Sequence, residues 1–156
     1  MAMISLLPAI LEVKNITSKQ VTQIDYDSIT GKYAGVLESN SEYILTVKKD
    51  GYAFNSKVLS ASDSAAAKPM HIDFEIKKMK EGGSYNLNDI LFAKESFELN
   101  NVSREVIKDF AEFLKSNPTT KVAINGHTDN DGNPQDNLIL SKNRAKAVYN
   151  YLISLG

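Results

Sequence analysis

The sequence predicts an α+β protein, with an N-terminal antiparallel β-sandwich followed by a β-α-β-α module. Short runs of β-branched and aromatic residues, separated by turn residues, fill the chain to about residue 78. Beyond that point, apolar residues recur at 3.6-residue spacing, which is typical of amphipathic helices. The length of 156 residues is enough for one ordinary domain or two small ones.

Several runs in the first half have the composition of strands, and the alternation of apolar and polar residues is clearest in YILTVK and HIDFEI. Asp50-Gly51, between two of these runs, is the strongest hairpin signal, and Thr30-Gly31 predicts another turn. Short strands at this spacing favour a small antiparallel sandwich over residues 1–78. The predicted strands are Ile10–Asn15, Tyr33–Leu37, Tyr43–Lys49, Tyr52–Leu59 and His71–Ile76.

Two amphipathic helices are predicted in the second half. The first must end near Asn117, because Pro118 disfavours the helical conformation of the residue before it. The second is predicted at Leu138–Leu155, and Gly156 suits the position just after a helix end. The apolar face of the first helix is predicted from the spacing of Val102, Val106, Ile107, Phe110, Ala111 and Leu114.

A strand is predicted before each helix, at Asn88–Phe92 and at Lys121–Gly126. Residues 79–84 contain the Gly82-Gly83 pair, which predicts a linker. The expected domains are therefore 1–78 and 85–156.

Composition excludes several classes of function. The chain has 18 Lys and Arg against 19 Asp and Glu, so no basic surplus exists to bind nucleic acid. The absence of cysteine excludes disulfides, thiolate metal sites and a cysteine nucleophile. The only two histidines, His71 and His127, are far apart in sequence, which disfavours a histidine-rich metal site. Bidentate recognition of a carboxylate would need Arg104 or Arg144, the only two arginines.

The polar segment 126–146 is the richest in candidate site residues, and enzymatic or calcium chemistry fits it poorly. An EF-hand would need a bidentate Glu where Leu138 stands. A hydrolytic triad of Ser141, His127 and Asp129 lacks the G-x-S-x-G motif. A glycosidase carboxylate pair stays open, although closely spaced aspartates more often shape a turn.

A loop aspartate and a helix arginine suggest a different chemistry. Asp129 could bind an ammonium group while Arg144 binds a carboxylate through two hydrogen bonds, so that together they hold a zwitterion. The charge pattern alone favours a simpler interpretation, in which both side chains only stabilise the protein surface.

The same segment resembles the OmpA-like peptidoglycan-binding domain. The family pattern has an apolar strand, G-H-T-D, a nearby glycine, an Asn, L-S-x-x-R-A and an apolar helix with Y-L. Asn88–Leu99 is also similar to the family's first strand, so the resemblance extends from about Tyr85 to the end. The matching residues are Gly126-His127-Thr128-Asp129, Gly132, Asn137, Leu140–Ala145 and Tyr151-Leu152.

The resemblance implies binding of the diaminopimelate residue of the peptidoglycan stem peptide. The ligand-pairing acid of the family falls on Asp129 and its ligand-pairing arginine on Arg144, which match the ammonium and carboxylate of that side chain. Thr128 and Asn137 fall on positions near the ligand, whereas Gly126 and Gly132 are expected to serve backbone geometry. The resemblance implies no catalytic residue, no cofactor and no metal, so we do not expect an enzyme.

The chain departs from the family in two places. Ala93 follows Phe92 where an acidic residue is usual, and the chain stops at Gly156, before further strands and an arginine-containing segment. Residues 8–59 resemble a transthyretin-like or carboxypeptidase-regulatory-like β-domain, which often precedes an OmpA-like domain in Bacteroidetes-type envelope proteins, but its opening strand is missing. We therefore expect a fragment cut at both ends, with marginal stability or self-association.

The leading hypothesis is a non-enzymatic anchor that binds peptidoglycan on the periplasmic side of an outer membrane. Nucleic acid is not expected as a partner, and the apolar N-terminus is too short to insert in a membrane. This N-terminus has no export signal, but that does not indicate a cytoplasmic location if the chain is a fragment of a longer protein. Alternatives are an envelope protein scaffold that uses the β-domain, a flagellar-stator-type wall anchor and a hydrolase or its regulatory domain. The oligomeric state is left open.

Overall fold

The computed structural model describes residues 9–61, 70–128 and 131–156. The chain divides into two compact units, Met1–Asn88 and Asp89–Gly156. The first contains a four-stranded antiparallel sheet, and the second contains two helices. The predicted α+β class is therefore confirmed.

The sheet of the first unit has the strand order β2-β1-β3-β4, and each pair of neighbours is antiparallel. Strand β1 has the bounds predicted from the sequence, and β3 and β4 overlap two further predicted strands. Strand β2 was not predicted, because its sequence VTQI lies at the sheet edge and has no regular apolar alternation. The strands are β1 Ile10–Asn15, β2 Val21–Ile24, β3 Ser41–Lys48 and β4 Asn55–Ala61.

One face of this sheet carries the apolar core of the unit. Alternate residues of β1 and β3 point to that face, as the period of a strand requires. Ile44 and Thr46, on the opposite face of β3, are also buried, so this central strand is covered on both sides. The core residues are Leu11, Val13, Tyr43, Leu45, Val47, Leu59 and Ile76.

Two predicted strands of this unit, Tyr33–Leu37 and His71–Ile76, do not form. In the first, the backbone of Tyr33 forms an isolated bridge with Tyr26 in place of a ladder. The second has the alternating burial of a strand, with Ile76 in the core, but it forms no ladder with a neighbouring strand.

The physical reason lies in how the segment 71–79 meets β4 and the residues before it. The contacts follow one antiparallel register, but side chains of β4 bind the carbonyl groups that backbone amides would bind in a ladder. The contacts are the Tyr52–Lys78 bridge, Asn55 Nδ2 to the Glu75 carbonyl at 2.9 Å, and Lys57 Nζ to the Asp73 carbonyl.

Both predicted turns of the first unit form. Gly51 adopts a φ of +77° in the connection between β3 and β4, a conformation that favours glycine. At Thr30-Gly31, the Asp27 carboxylate accepts hydrogen bonds from the backbone amides of Ile29 and Thr30, both at 2.8 Å. These two amides lower the pKa of Asp27, because they stabilise the charged carboxylate.

Helix α1, Asn101–Ser116, and helix α2, Pro134–Ser154, form the second unit. The predicted end of α1 is confirmed, since Asn117 is its C-cap. Helix α2 begins one turn before the predicted start, because the Asn133 side chain accepts the amide hydrogen of Gln135 and Pro134 suits the first helical position. Among the described residues, neither helix combines the length and apolarity that crossing a bilayer requires.

The strands predicted at Asn88–Phe92 and Lys121–Gly126 are corrected by the structure, which has irregular backbone in both segments. Asp89 adopts a φ of +64°, in the left-handed region, and a strand cannot continue through that conformation. No described backbone hydrogen bond joins the two segments, so neither has a strand to pair with.

Candidate functional site

The segment predicted to hold the site meets helix α2 at Gly126. A Cβ atom at this position would lie 2.1 Å from the Ser141 carbonyl oxygen and 3.1 Å from the Ala145 amide nitrogen. Real Cβ atoms do not approach backbone atoms this closely, so only glycine fits here. The structural role predicted for Gly126 therefore has a specific cause, which is direct packing of its backbone on the helix turn that carries Arg144.

The other end of the loop is tied to the first turns of α2. Gly132 has a φ of +94°, so its own role is conformational. The Asn137 side chain donates a hydrogen bond from Nδ2 to the Asp131 carbonyl at 2.9 Å. The backbone N–H of Asn137 donates to the Asn133 carbonyl at 3.0 Å. The chain is thus fixed against α2 both before and after residues 129–130.

Arg144 lies half-buried on α2 and is held by the segment that precedes α1. Its Nε donates to the Ser96 carbonyl at 2.9 Å, and its Nη2 donates to the Ala93 carbonyl at 3.2 Å. Its guanidinium carbon lies 5.1 Å from the centroid of the Phe92 ring, within the range of a cation–π interaction. Two hydrogen bonds and an aromatic face therefore fix the orientation of the guanidinium group.

This arrangement leaves Arg144 able to bind a further group. An arginine has five N–H donors, and the described residues accept two of them. A carboxylate can accept two N–H groups in the guanidinium plane, which makes a short, charge-assisted pair. The geometry is therefore suited to a planar anion.

The other predicted site residues differ in how well the structure places them. Asn137 is half-buried and lies seven residues before Arg144 on α2, which puts both on one face of the helix, about 10 Å apart along its axis. Thr128 is half-buried, and its neighbour His127 is exposed. Asp129 lies outside the described residues, so its pairing with a ligand stays a prediction.

Sequence reasoning missed the contribution of the segment before α1. The fully buried Ser103 hydroxyl accepts the Leu91 amide hydrogen at 3.2 Å and donates to the Leu91 carbonyl at 3.1 Å. This pair fixes the backbone directly before Phe92. A serine near a helix start, inside an apolar pattern, was the available clue, but it does not reveal the partner.

The second arginine occupies a similar but more exposed position. Arg104 Nε donates to the Leu99 carbonyl at 3.1 Å, and its guanidinium carbon lies 5.0 Å from the Tyr151 ring centroid. Both arginines of the chain therefore combine one Nε hydrogen bond to a carbonyl with one aromatic ring. Among the residues that the structure describes, Arg144 alone has a second carbonyl contact.

One carboxylate of α1 is deeply buried. Glu105 is 3% exposed and accepts a hydrogen bond from Lys108 Nζ at 2.8 Å. That hydrogen bond raises the pKa of Lys108, because it stabilises the charged ammonium. Within the described parts of the chain, no group of three or more His, Asp or Glu side chains could hold a metal ion.

Comparison with known proteins gives a consistent result for this region. Residues 91–156 match the model of the OmpA family. The peptidoglycan-associated lipoprotein of Pasteurella multocida is 33% identical over 69 residues, which cover 44% of this chain and 46% of that protein. The peptidoglycan-binding protein ArfA of Mycobacterium tuberculosis is 39% identical over 67 residues, which cover 43% of this chain and 21% of that protein.

A third relative is the outer membrane porin F of Pseudomonas aeruginosa. It is 35% identical over 66 residues, which cover 42% of this chain and 19% of that protein. The chain thus spans about half, or less, of the length of these relatives. No solved structure matches the chain.

Proposed function

We propose that the second unit binds peptidoglycan non-covalently, by holding the diaminopimelate residue of its stem peptide. Arg144 binds the side-chain carboxylate of that residue, and Asp129 binds its ammonium group. The observation that carries the proposal is the position of Arg144, oriented by two carbonyls and the Phe92 ring while keeping donors for an anion. The names of the two peptidoglycan-associated and peptidoglycan-binding relatives support the ligand class.

The chemistry of the ligand explains why an arginine is required. A guanidinium group presents a planar pair of N–H donors that matches a carboxylate, whereas the ammonium of a lysine is a point charge. A hydrogen bond to a charged group contributes about 1.5–3 kcal/mol, so loss of the Arg144 guanidinium should weaken binding at least tenfold.

The loop that carries Asp129 supports its proposed role. Gly126 lies against α2 on one side of Asp129, and the Asp131 carbonyl is held by Asn137 on the other. The described residues on both sides of Asp129 are thus held by α2, the helix that carries Arg144. In this proposal Asn137 and Thr128 complete the ligand contacts.

The cellular role that we propose is an anchor between the outer membrane and the cell wall, on the periplasmic side, in an exported parent protein. The names of the lipoprotein and the outer membrane porin support an envelope location. The first unit, predicted as a transthyretin-like β-domain over 1–78 with a linker at 79–84, then serves as a spacer or as an adaptor for another envelope protein.

The proposal is tested by co-sedimentation of the full chain with purified peptidoglycan of two types. One type carries diaminopimelate, and the other carries lysine, which lacks the side-chain carboxylate. We expect the unmodified chain to sediment with the first type only, and Arg144→Ala or Asp129→Asn to abolish that sedimentation.

Arg104→Ala is the matched control, since it removes the only other arginine and leaves the proposed site intact. It should bind like the unmodified chain. Equal binding by Arg144→Ala and Arg104→Ala would refute the assignment of the site.

A further inference from the structure

The ring of Phe92 lies against the guanidinium of Arg144, on a segment of backbone that is itself fixed. Leu91, the preceding residue, is held by the buried Ser103 hydroxyl through both its amide and its carbonyl. The following residues form a turn in which the Ser96 amide donates to the Ala93 carbonyl at 3.1 Å, and Glu95 has a φ of +55°. The ring and the two carbonyl groups that contact Arg144 thus belong to one short, ordered segment.

We propose that Phe92 is a positioning residue for ligand binding, because it sets the plane of the Arg144 guanidinium. The inference rests on the proposed function, in which Arg144 binds a carboxylate. Phe92 is not proposed to touch the ligand. Its effect is transmitted through the arginine.

The pattern of hydrogen bonds explains why a plane has to be set. Nε and Nη2 lie on one edge of the guanidinium, and this edge faces the Ser96 and Ala93 carbonyls. The adjoining edge, formed by Nη1 and the second hydrogen of Nη2, is the one on which a carboxylate can bind through two bonds. A rotation about the Cδ–Nε bond would misdirect that edge, and the aromatic face of Phe92 opposes the rotation.

The side chain of Phe92 is the part of this segment that a substitution can change. The Ala93 and Ser96 contacts use backbone carbonyls, so replacing those side chains leaves them in place. Tyr151 offers a matched control, since its ring lies 5.0 Å from the other arginine, Arg104. Removing either ring deprives one arginine of its aromatic neighbour.

The first measurement is the affinity of the full chain for a soluble tripeptide that ends in meso-diaminopimelate, by titration calorimetry. We expect Phe92→Leu to weaken binding roughly tenfold, which corresponds to the loss of a partly buried cation–π contact. Phe92→Tyr keeps the ring and should bind within about twofold of the unmodified chain, on the same reasoning. Tyr151→Leu should leave the affinity unchanged.

The second measurement follows the arginines directly by NMR. Because the chain has only two arginines, its spectrum has two side-chain Nε–H signals. We expect Phe92→Leu to shift the Arg144 signal by loss of the ring current, and Tyr151→Leu to shift only the Arg104 signal. These shifts report which ring lies on which arginine, and a role limited to packing is distinguished by the affinity of a variant that keeps the volume of the ring.

If Phe92→Leu does not fold, pentafluorophenylalanine at position 92 keeps the volume of the ring and reverses its quadrupole, and should also weaken binding roughly tenfold. The inference is overturned if ring removal or fluorination leaves the tripeptide affinity unchanged while Arg144→Ala abolishes it. Unchanged binding by Arg144→Ala, or no binding by the unmodified chain, overturns the proposed function itself.

Discussion

In the first unit, backbone hydrogen bonds between neighbouring strands hold the sheet together, whereas in the second unit a few specific contacts place the segments around the helices. Strands β1, β3 and β4 pair along nearly their whole length. Outside α1 and α2, the second unit depends on contacts such as Ser103 with Leu91 and Gly126 with Ser141.

The difference extends to the apolar residues. Among the described residues, the first unit buries ten apolar side chains, while the second buries four, namely Val106, Ile107, Ala111 and Val148. A unit with little buried apolar area has little stability to lose. Single substitutions should therefore disturb the second unit more than equivalent changes disturb the sheet.

The largest expected effect comes from Gly126→Ala. The new Cβ would meet the Ser141 carbonyl at 2.1 Å, so the loop or the helix must move. We expect a loss of more than about 3 kcal/mol in the free energy of unfolding of the second unit, because overpacking against backbone cannot be relieved by a change of rotamer. Urea denaturation followed by helical circular dichroism measures it.

Gly132→Ala is the control for this substitution. Gly132 also has a special conformation, with a φ of +94°, but its Cβ would meet no atom within 4 Å. Only backbone strain is added, so about 1 kcal/mol is expected. Similar losses for the two variants would contradict the close packing of the loop on α2.

A smaller effect is expected from Ser103→Ala. This change leaves the amide and the carbonyl of Leu91 without their hydroxyl partner, which should cost about 2 kcal/mol. The matched change in the first unit is Asn55→Ala, which removes the contact between β4 and the Glu75 carbonyl. There the segment keeps its backbone hydrogen bond from Ala53 to the Lys77 carbonyl, so we expect less than about 1 kcal/mol.

Urea denaturation measures both variants, followed by helical circular dichroism for Ser103→Ala and by NMR signals of the β3 amides for Asn55→Ala. An equal loss of unfolding free energy in Asn55→Ala and Ser103→Ala would contradict this difference between the units, since it would show that side chains fix the segments of both units equally.

The same contrast decides how much of the fold could be predicted. Strand β1 and the end of α1 depend on local patterns, namely alternation and the proline after Asn117, and both are confirmed. The strand predicted at Asn88–Phe92 does not form, because Asp89 adopts a left-handed backbone conformation. An aspartate tolerates this conformation, but nothing in the neighbouring sequence predicts it.

The candidate site was predictable only in part. The spacing of Gly126 and Arg144 matched a known pattern, which drew attention to the segment that packs on α2. The contact of Arg144 with Phe92 and with the Ser96 carbonyl joins segments that are far apart in sequence, so no local pattern contains it. Distant contacts of this kind follow from tertiary packing, which local sequence patterns do not reveal.

The smallest predicted effect concerns Asp27, in a turn of the first unit. Because strand pairing holds that unit together, the stability of its sheet should depend little on any one side chain. Hydrogen bonds from the Ile29 and Thr30 amides hold the pKa of Asp27 below its unfolded value of 3.8. The stabilisation is therefore present above that unfolded pKa, and it is lost as the pH falls through the lower folded pKa.

NMR titration of the Asp27 carboxyl should show the lowered pKa. In Asp27→Asn, the amide oxygen still accepts hydrogen bonds but carries no charge, so the acid dependence from this residue should disappear while the sheet stays folded. Unfolding of β1 and β3 in this variant would contradict the view that strand pairing, rather than single side chains, holds the first unit together.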